Sequence, residues 1–384
     1  MLFLPLNFDG KGFQHHFTTF IFKDLIELIQ NHFFENGLEN IDFSSDTIGL
    51  NLLLVLLLVI GFFTTILLNV FKFNFSKIIP VTNVIIAYYV AYVLLNYGFN
   101  KVFKVQFYLP EPNILFTKFG DLSKDILYWS TIGTSRLYNV LTGSLEVIAA
   151  VLILINRTRV FGLLVGIGIF LNVIFINFGF DISVKTFSFF LFFASVFVLF
   201  PYLNTIYSFF ILKKETKITD EKVPFSVDIS IIHGFKFFII GVLFLNVIYP
   251  YFKTNNWNDD QFPRPFLHGI YKTTQIISNN DTIPECDFTI KNIVIHRSNY
   301  LIFQDQNDLT TDYYFEINYP QKTLEITDYQ KRKRKINYFY SPKDSVLQLY
   351  FVDKKNLTIT CKAINWRKFP ALRNDFHFTI DQLK

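Results

Sequence analysis

Six apolar runs occupy residues 47–70, 80–99, 139–155, 160–178, 182–212 and 229–252, and after residue 254 the pattern turns to short alternation of apolar and polar positions. A helix rises about 1.5 Å per residue, so roughly 20 apolar residues cross about 30 Å of hydrocarbon. The first two thirds of the chain therefore predict a membrane bundle of about six helices. Ahead of them, Phe20, Ile21, Leu25, Leu28, Ile29 and Phe33 recur at helical spacing, with Lys23, Asp24, Glu27 and Asn31 between. This predicts an amphipathic helix lying on the membrane surface or against the bundle. The same segment, residues 1–46, lacks the basic start and apolar core of a signal peptide.

Within the spans, polar and small residues fall on definite faces. Pro80 suits the first turn of the second span, and Tyr88, Tyr92 and Asn96 share one of its faces. The loop 100–138 is broken by Pro110 and Pro112, with Tyr128 and Trp129 as interfacial anchors. In the third span Asn139, Thr142, Gly143, Glu146 and Ala150 form one stripe whose small residues permit close helix approach. The fourth carries Gly162 and Gly166 in a GxxxG spacing, then Gly168 and Asn172. Asp181 stands where an N-cap would for the fifth span, with Lys185 four residues on.

In the tail, the runs 292–296, 314–318, 323–327, 347–350 and 357–361 alternate apolar and polar between Asn, Asp, Pro and Lys turns. That pattern predicts an antiparallel meander closing as a small barrel or a sandwich. An eight-stranded barrel has either a packed interior or room for one small apolar ligand. The basic run Lys331, Arg332, Lys333, Arg334 and Lys335 reads as a solvated hairpin tip or as a contact for anionic lipid headgroups.

Composition narrows the class. The 384 residues are 51% hydrophobic and 17% charged, too apolar for an ordinary soluble protein of this length. The formal net charge of +5 is unevenly placed, so it bears on topology, and no nucleic-acid module is visible. Lys72 and Lys77, Arg157 and Arg159, and Lys213, Lys214, Lys217 and Lys222 fall on one side of the predicted topology, which makes that side cytoplasmic and both termini periplasmic. The expected division is an amphipathic segment 1–46, a first span and loop 47–79, a four-helix core 80–212, a basic loop and last span 213–253, and an exported β domain 254–384.

The core encloses Lys101, Lys104, Gln106, Glu146, Asn172, Asn177, Asp181 and Lys185. An ionised side chain at the middle of a membrane helix costs on the order of 2.5–3.5 kcal/mol, so it faces a protein interior and marks a candidate site. Glu146 is the clearest case, although a hydrogen-bonded structural carboxyl also explains it; capping and a helix-surface ion pair equally explain Asp181 and Lys185. No metal site is predicted: His15 and His16 have no acid or thiol cluster near them, and His233 alone does not make a haem site. The two cysteines, Cys286 and Cys361, follow the last span; a disulfide is allowed there, but sequence alone does not bring them within bonding distance.

A family resemblance is carried by residues 97–107 (YGFNKVFKVQF), 138–147 (YNVLTGSLEV), 156–159 (NRTR) and 171–185, with Asn172, Asn177, Asp181 and Lys185 in the last. These stretches resemble the DoxX-like membrane proteins of Gram-negative bacteria. Leu267 to Tyr271 and Phe376 to Phe378 look like the start and end of the β domain in a longer subgroup. The resemblance implies a four-helix core in the second to fifth spans. Longer members carry one more span before the segment resembling residues 1–8, which implies a start one span short. Relatives include a subunit associated with thiosulfate and quinone oxidation, which implies a quinone-linked redox role. Glu146, Lys185 and Asp181 would then be the catalytic group, and Lys101, Gln106, Asn172 and Asn177 the quinone-binding group. Electrons would come from a protein partner, since the chain has neither Cys-x-x-Cys nor a dinucleotide fingerprint. The alternative is a non-enzymatic envelope scaffold that binds lipid or protein partners through its β domain.

Overall fold

The computed structural model describes residues 13–33, 42–43, 45–217, 229–351, 356–373 and 379. The side chains of His15, His16 and His233, together with Lys222 and the segment 374–378, lie outside the described residues. The chain forms two compact units.

The first unit takes in the described residues of Met1–Val102 and Val140–Asn255. Its helices are α1 (Phe13–Phe33), α2 (Ile48–Val70) and α3 (Ile78–Val102), and, after the second unit's short α4 (Pro112–Leu115) and α5 (Lys124–Thr134), α6 (Arg136–Leu154), α7 (Arg159–Gly179), α8 (Lys185–Leu199), α9 (Leu203–Phe210) and α10 (Ile229–Thr254). Six helical segments among the described residues are long and apolar enough to cross a membrane, with α8 and α9 counted as one span. Helix α1 buries Ile26 against Leu53 of α2, while Phe20, Ile21, Leu25 and Leu28 of its expected apolar face are exposed. Ala87, Val90, Ala91, Leu94 and Leu95 of α3 form the middle of the bundle, packed with Ala149, Ala150 and Ile153 of α6, Leu163 and Phe170 of α7, and Leu191 and Val198 of α8.

Two glycine contacts set the helix crossings. A Cβ on Gly143 would lie 2.6 Å from the Gly98 carbonyl oxygen, so α3 and α6 touch backbone to backbone there. Within the GxxxG spacing, a Cβ on Gly162 would lie 2.7 Å from the Ile153 nitrogen, whereas Gly166 has ordinary clearance.

The expected N-cap at Asp181 is corrected. Asp181 has φ 53°, and Ile182 N–H donates to the Asn177 carbonyl at 2.9 Å, so Asp181 is the left-handed residue closing α7 in a Schellman motif. The start of α8 is capped instead by Asp46, whose carboxylate accepts from the backbone N–H groups of Lys185 and Thr186, each at 2.8 Å. The carboxylate that meets these orphan donors is remote in sequence, which local pattern cannot reveal.

The second unit joins Phe103–Asn139 to Asn256–Lys384. The stretch expected as a loop inside the four-helix core thus belongs with the β domain. Strands β1 (Gly269–Ser278), β2 (Asp281–Ile283), β3 (Asn292–Ile295), β4 (Tyr300–Gln304), β5 (Thr310–Asn318), β6 (Thr323–Thr327), β7 (Lys333–Ser341), β8 (Val346–Phe351) and β9 (Leu357–Ile364) are antiparallel neighbours in a meander. Pairing of β1 with both β3 and β9 closes eight of them into a barrel, with β2 a hairpin extension of β1. The alternative of a sandwich is thereby excluded.

Inward positions follow the two-residue period: Leu324 and Ile326, Ile336 and Tyr338, Leu347 and Leu349, Ile359 and Cys361 fill the interior with Ile293, Ile295, Leu301 and Phe315. This barrel is packed by side chains. Strand β3 is buried at all four positions because its outer face is covered too. There Ile270, Val294 and Ile302 meet Trp366 and the segment containing Leu115 and Phe116. Phe107 receives Trp129 at 4.5 Å and Tyr128 at 6.0 Å between ring centroids, so the two expected interfacial anchors pack against a ring of their own unit. Cys286 is exposed, Cys361 is buried in the barrel, and both thiols are free.

Candidate functional site

In the bundle, the backbone contact between Gly98 and Gly143 brings the side chains one turn on from each into reach. Lys101 Nζ lies 2.5 Å from Glu146 Oε1, with both side chains buried. The Lys101 ammonium also lies 5.7 Å from the centroid of the Tyr97 ring. Glu146 Oε2 is buried and has no hydrogen-bond partner among the described residues. A carboxylate with one oxygen neutralised by an ammonium and the other open can accept a hydrogen bond or carry a proton.

The other residues expected at this site are placed elsewhere. Asp181 and Lys185 form an ion pair at 2.7 Å, with the aspartate side chain 82% exposed. Asn177 is buried and donates to the Val184 carbonyl at 3.3 Å, a bond that fastens the α7 to α8 turn. Asn172 is exposed on α7. Gln106 and Lys104 belong to the second unit. Lys104 is fully buried there, donates to the Gly133 carbonyl and sits 3.7 Å from Asp260. Burial lowers its pKa, and the Asp260 carboxylate opposes that shift. Thus Lys101 and Glu146 are joined, Asp181 and Lys185 are joined, and Asn172, Asn177 and Gln106 are not assembled around either pair.

A second polar cluster, absent from the sequence reading, lies at one end of the barrel. Arg297, in the β3 to β4 turn, places both terminal nitrogens on the Asp259 carboxylate at 2.7 Å each, and Arg264 adds a third contact at 2.9 Å. Its guanidinium stacks over the Tyr108 ring at 4.5 Å. Beside it Glu111 and His268 are 2.6 Å apart and almost fully buried. Burial raises the Glu111 pKa, but the hydrogen bond and charge of His268 outweigh it and hold the carboxyl below its ordinary value. Burial pushes the His296 imidazole down. These contacts clamp the segments 103–111 and 256–268 to the barrel. The signal available in sequence was the rigid Pro110, Glu111, Pro112 turn; its partners lie some 150 positions away and carry no motif. Among the described residues no group of three or more His, Cys, Asp or Glu side chains has a metal-binding arrangement.

The basic run is partly neutralised. Arg332 pairs with Asp328 at 2.7 Å, Lys333 with Glu325 at 2.6 Å, and Lys335 lies opposite Glu325 in the ladder.

The chain is similar to the uncharacterized protein YwoB of Bacillus subtilis (strain 168), with 32% identity over 84 residues, 20% of this chain and 54% of that protein. The match thus spans about half the length of that relative. No family model matches the chain. No solved structure matches it either.

Proposed function

We propose that this protein is a non-enzymatic envelope scaffold of the DoxX-like kind, in which a multi-pass bundle in a bacterial cytoplasmic membrane anchors a barrel domain on the periplasmic side for partners to engage. What supports this reading is the second unit: its interior is filled by aliphatic and aromatic side chains, and its buried charges bond one another. Such a domain offers its outer surface, not a cavity. Gentle extraction of the full-length protein, followed by mass spectrometry of everything co-purified, is expected to return stable protein partners and no bound quinone. Bound quinone with no partner overturns the reading.

A quinone-linked redox role is the second reading, favoured by the open Oε2 of Glu146. Glu146 would exchange the proton, Lys101 would hold its charge, and electrons would come from a partner. On this reading Glu146→Gln keeps the fold and abolishes quinone reduction with candidate donors; full activity in the variant removes Glu146 from the site.

A further inference from the structure

Within the helical unit, two cations from different helices meet on one neutral oxygen. Asn156 lies in the turn between α6 and α7, and its Oδ1 accepts from Arg159 Nη2 at 2.7 Å and from Lys236 Nζ at 2.9 Å. The guanidinium is also fixed by its Nε, which donates to the Ile153 carbonyl at 3.0 Å. Lys236 comes from α10, 80 positions along the chain, and is the sole Lys, Arg, Asp or Glu between Ile229 and Phe252. Helix α10 is itself pinned along α3, because Tyr92 donates to Asn246 and Tyr251 donates to Asn100 at 2.8 Å. The meeting of the two cations is therefore built into the bundle.

A charged side chain in an apolar helix is costly, and two like charges brought to one acceptor repel each other. An amide oxygen offers them only a partial charge. A phosphate offers a full negative charge on several oxygens, which a guanidinium meets with its planar fork and an ammonium as a point charge. The surroundings say what carries that phosphate. Phe235, Phe237 and Phe238 flank Lys236 on α10 and are exposed, as is Phe161 on α7, two residues from Arg159. Exposed rings beside basic groups suit acyl chains joined to an anionic head, and basic pockets between membrane helices take such headgroups.

We propose that Arg159 and Lys236, gathered by Asn156, form a binding site for the phosphate of an anionic phospholipid. The inference rests on the membrane-spanning half of the scaffold reading and is independent of the barrel.

The test uses the full-length protein in detergent, titrated separately with phosphatidylglycerol, diacylglycerol and inorganic phosphate, with bound species read by native mass spectrometry. Phosphatidylglycerol is expected to stay bound and diacylglycerol to be lost. Asn156→Asp puts a carboxylate where the two cations meet, so it is expected to weaken phosphatidylglycerol binding by about tenfold or more while keeping or raising the melting temperature without added lipid. Lys236→Gln is expected to weaken binding as well, and serves as the second variant should Asn156→Asp fold poorly. Lys213→Gln with Lys214→Gln removes more positive charge from an exposed turn and is expected to leave binding unchanged. Wild-type affinity in folded Asn156→Asp or Lys236→Gln, an equal loss in the Lys213 and Lys214 variant, or inorganic phosphate bound as tightly as phosphatidylglycerol overturns the proposal. Carbonate extraction from vesicles separates the two readings. Protein that carbonate removes overturns the membrane-spanning reading together with this one, and protein that resists carbonate without selecting phosphatidylglycerol overturns this one alone.

Discussion

Arg297 grips Asp259 with two parallel hydrogen bonds of 2.7 Å, and this fork joins the β3 to β4 turn to the segment that leads into the barrel. Removing one partner of a buried pair leaves an uncompensated charge, which costs more than the pair contributes. Arg297→Met is therefore expected to destabilise the barrel domain by about 2–4 kcal/mol, below the full penalty because Arg264 remains on Asp259. Denaturant unfolding followed by β-sheet circular dichroism checks this; an unchanged midpoint refutes the clamp.

The same cluster predicts a pH dependence. His296 and Glu111 both have folded pKa values below their ordinary 6.5 and 4.5, so the unfolded chain binds more protons than the fold between the two values. Their contribution to stability is present above those ordinary values and is lost as pH falls, first below 6.5 for His296 and then below 4.5 for Glu111. Thermal melts across this range are expected to decline towards acid, and His296→Gln to flatten the upper part of the decline.

In the bundle, Glu146→Leu leaves the Lys101 ammonium buried without its counterion. The single change is expected to lower thermal stability in detergent more than the double change Lys101→Leu with Glu146→Leu does. Additive losses in the cycle contradict a direct pair.

Gly143→Ala drives a methyl group towards the Gly98 carbonyl and is expected to cost about 1–3 kcal/mol by forcing α3 and α6 apart. Gly168→Ala meets nothing within 4 Å and is expected to be neutral or slightly stabilising. Equal effects of the two on the melting temperature argue against the backbone contact.

Asp46→Ala removes the cap of α8 and is expected to cost about 1 kcal/mol and to speed amide exchange at Lys185 and Thr186. Asp181→Ala leaves the Asp46 cap in place and is expected to leave amide exchange at Lys185 and Thr186 unchanged.

What the sequence determined by itself follows from short-range physics. A hydrocarbon layer demands long apolar helices, and a half-buried ladder demands alternation, so the six spans and the strands at 323–327, 347–350 and 357–361 are written in runs of adjacent residues. The stripe holding Gly143 and Glu146 is likewise a helical period, and it points Glu146 at a neighbour. Only tertiary structure decided that the neighbour is Lys101, that Asp46 rather than Asp181 caps α8, and that residues 103–139 leave the bundle to cover the barrel. Those choices depend on which groups meet across 45 residues of chain for Lys101 with Glu146 and 139 for Asp46 with Lys185. A buried donor or charge needs some partner, but the need does not say which one.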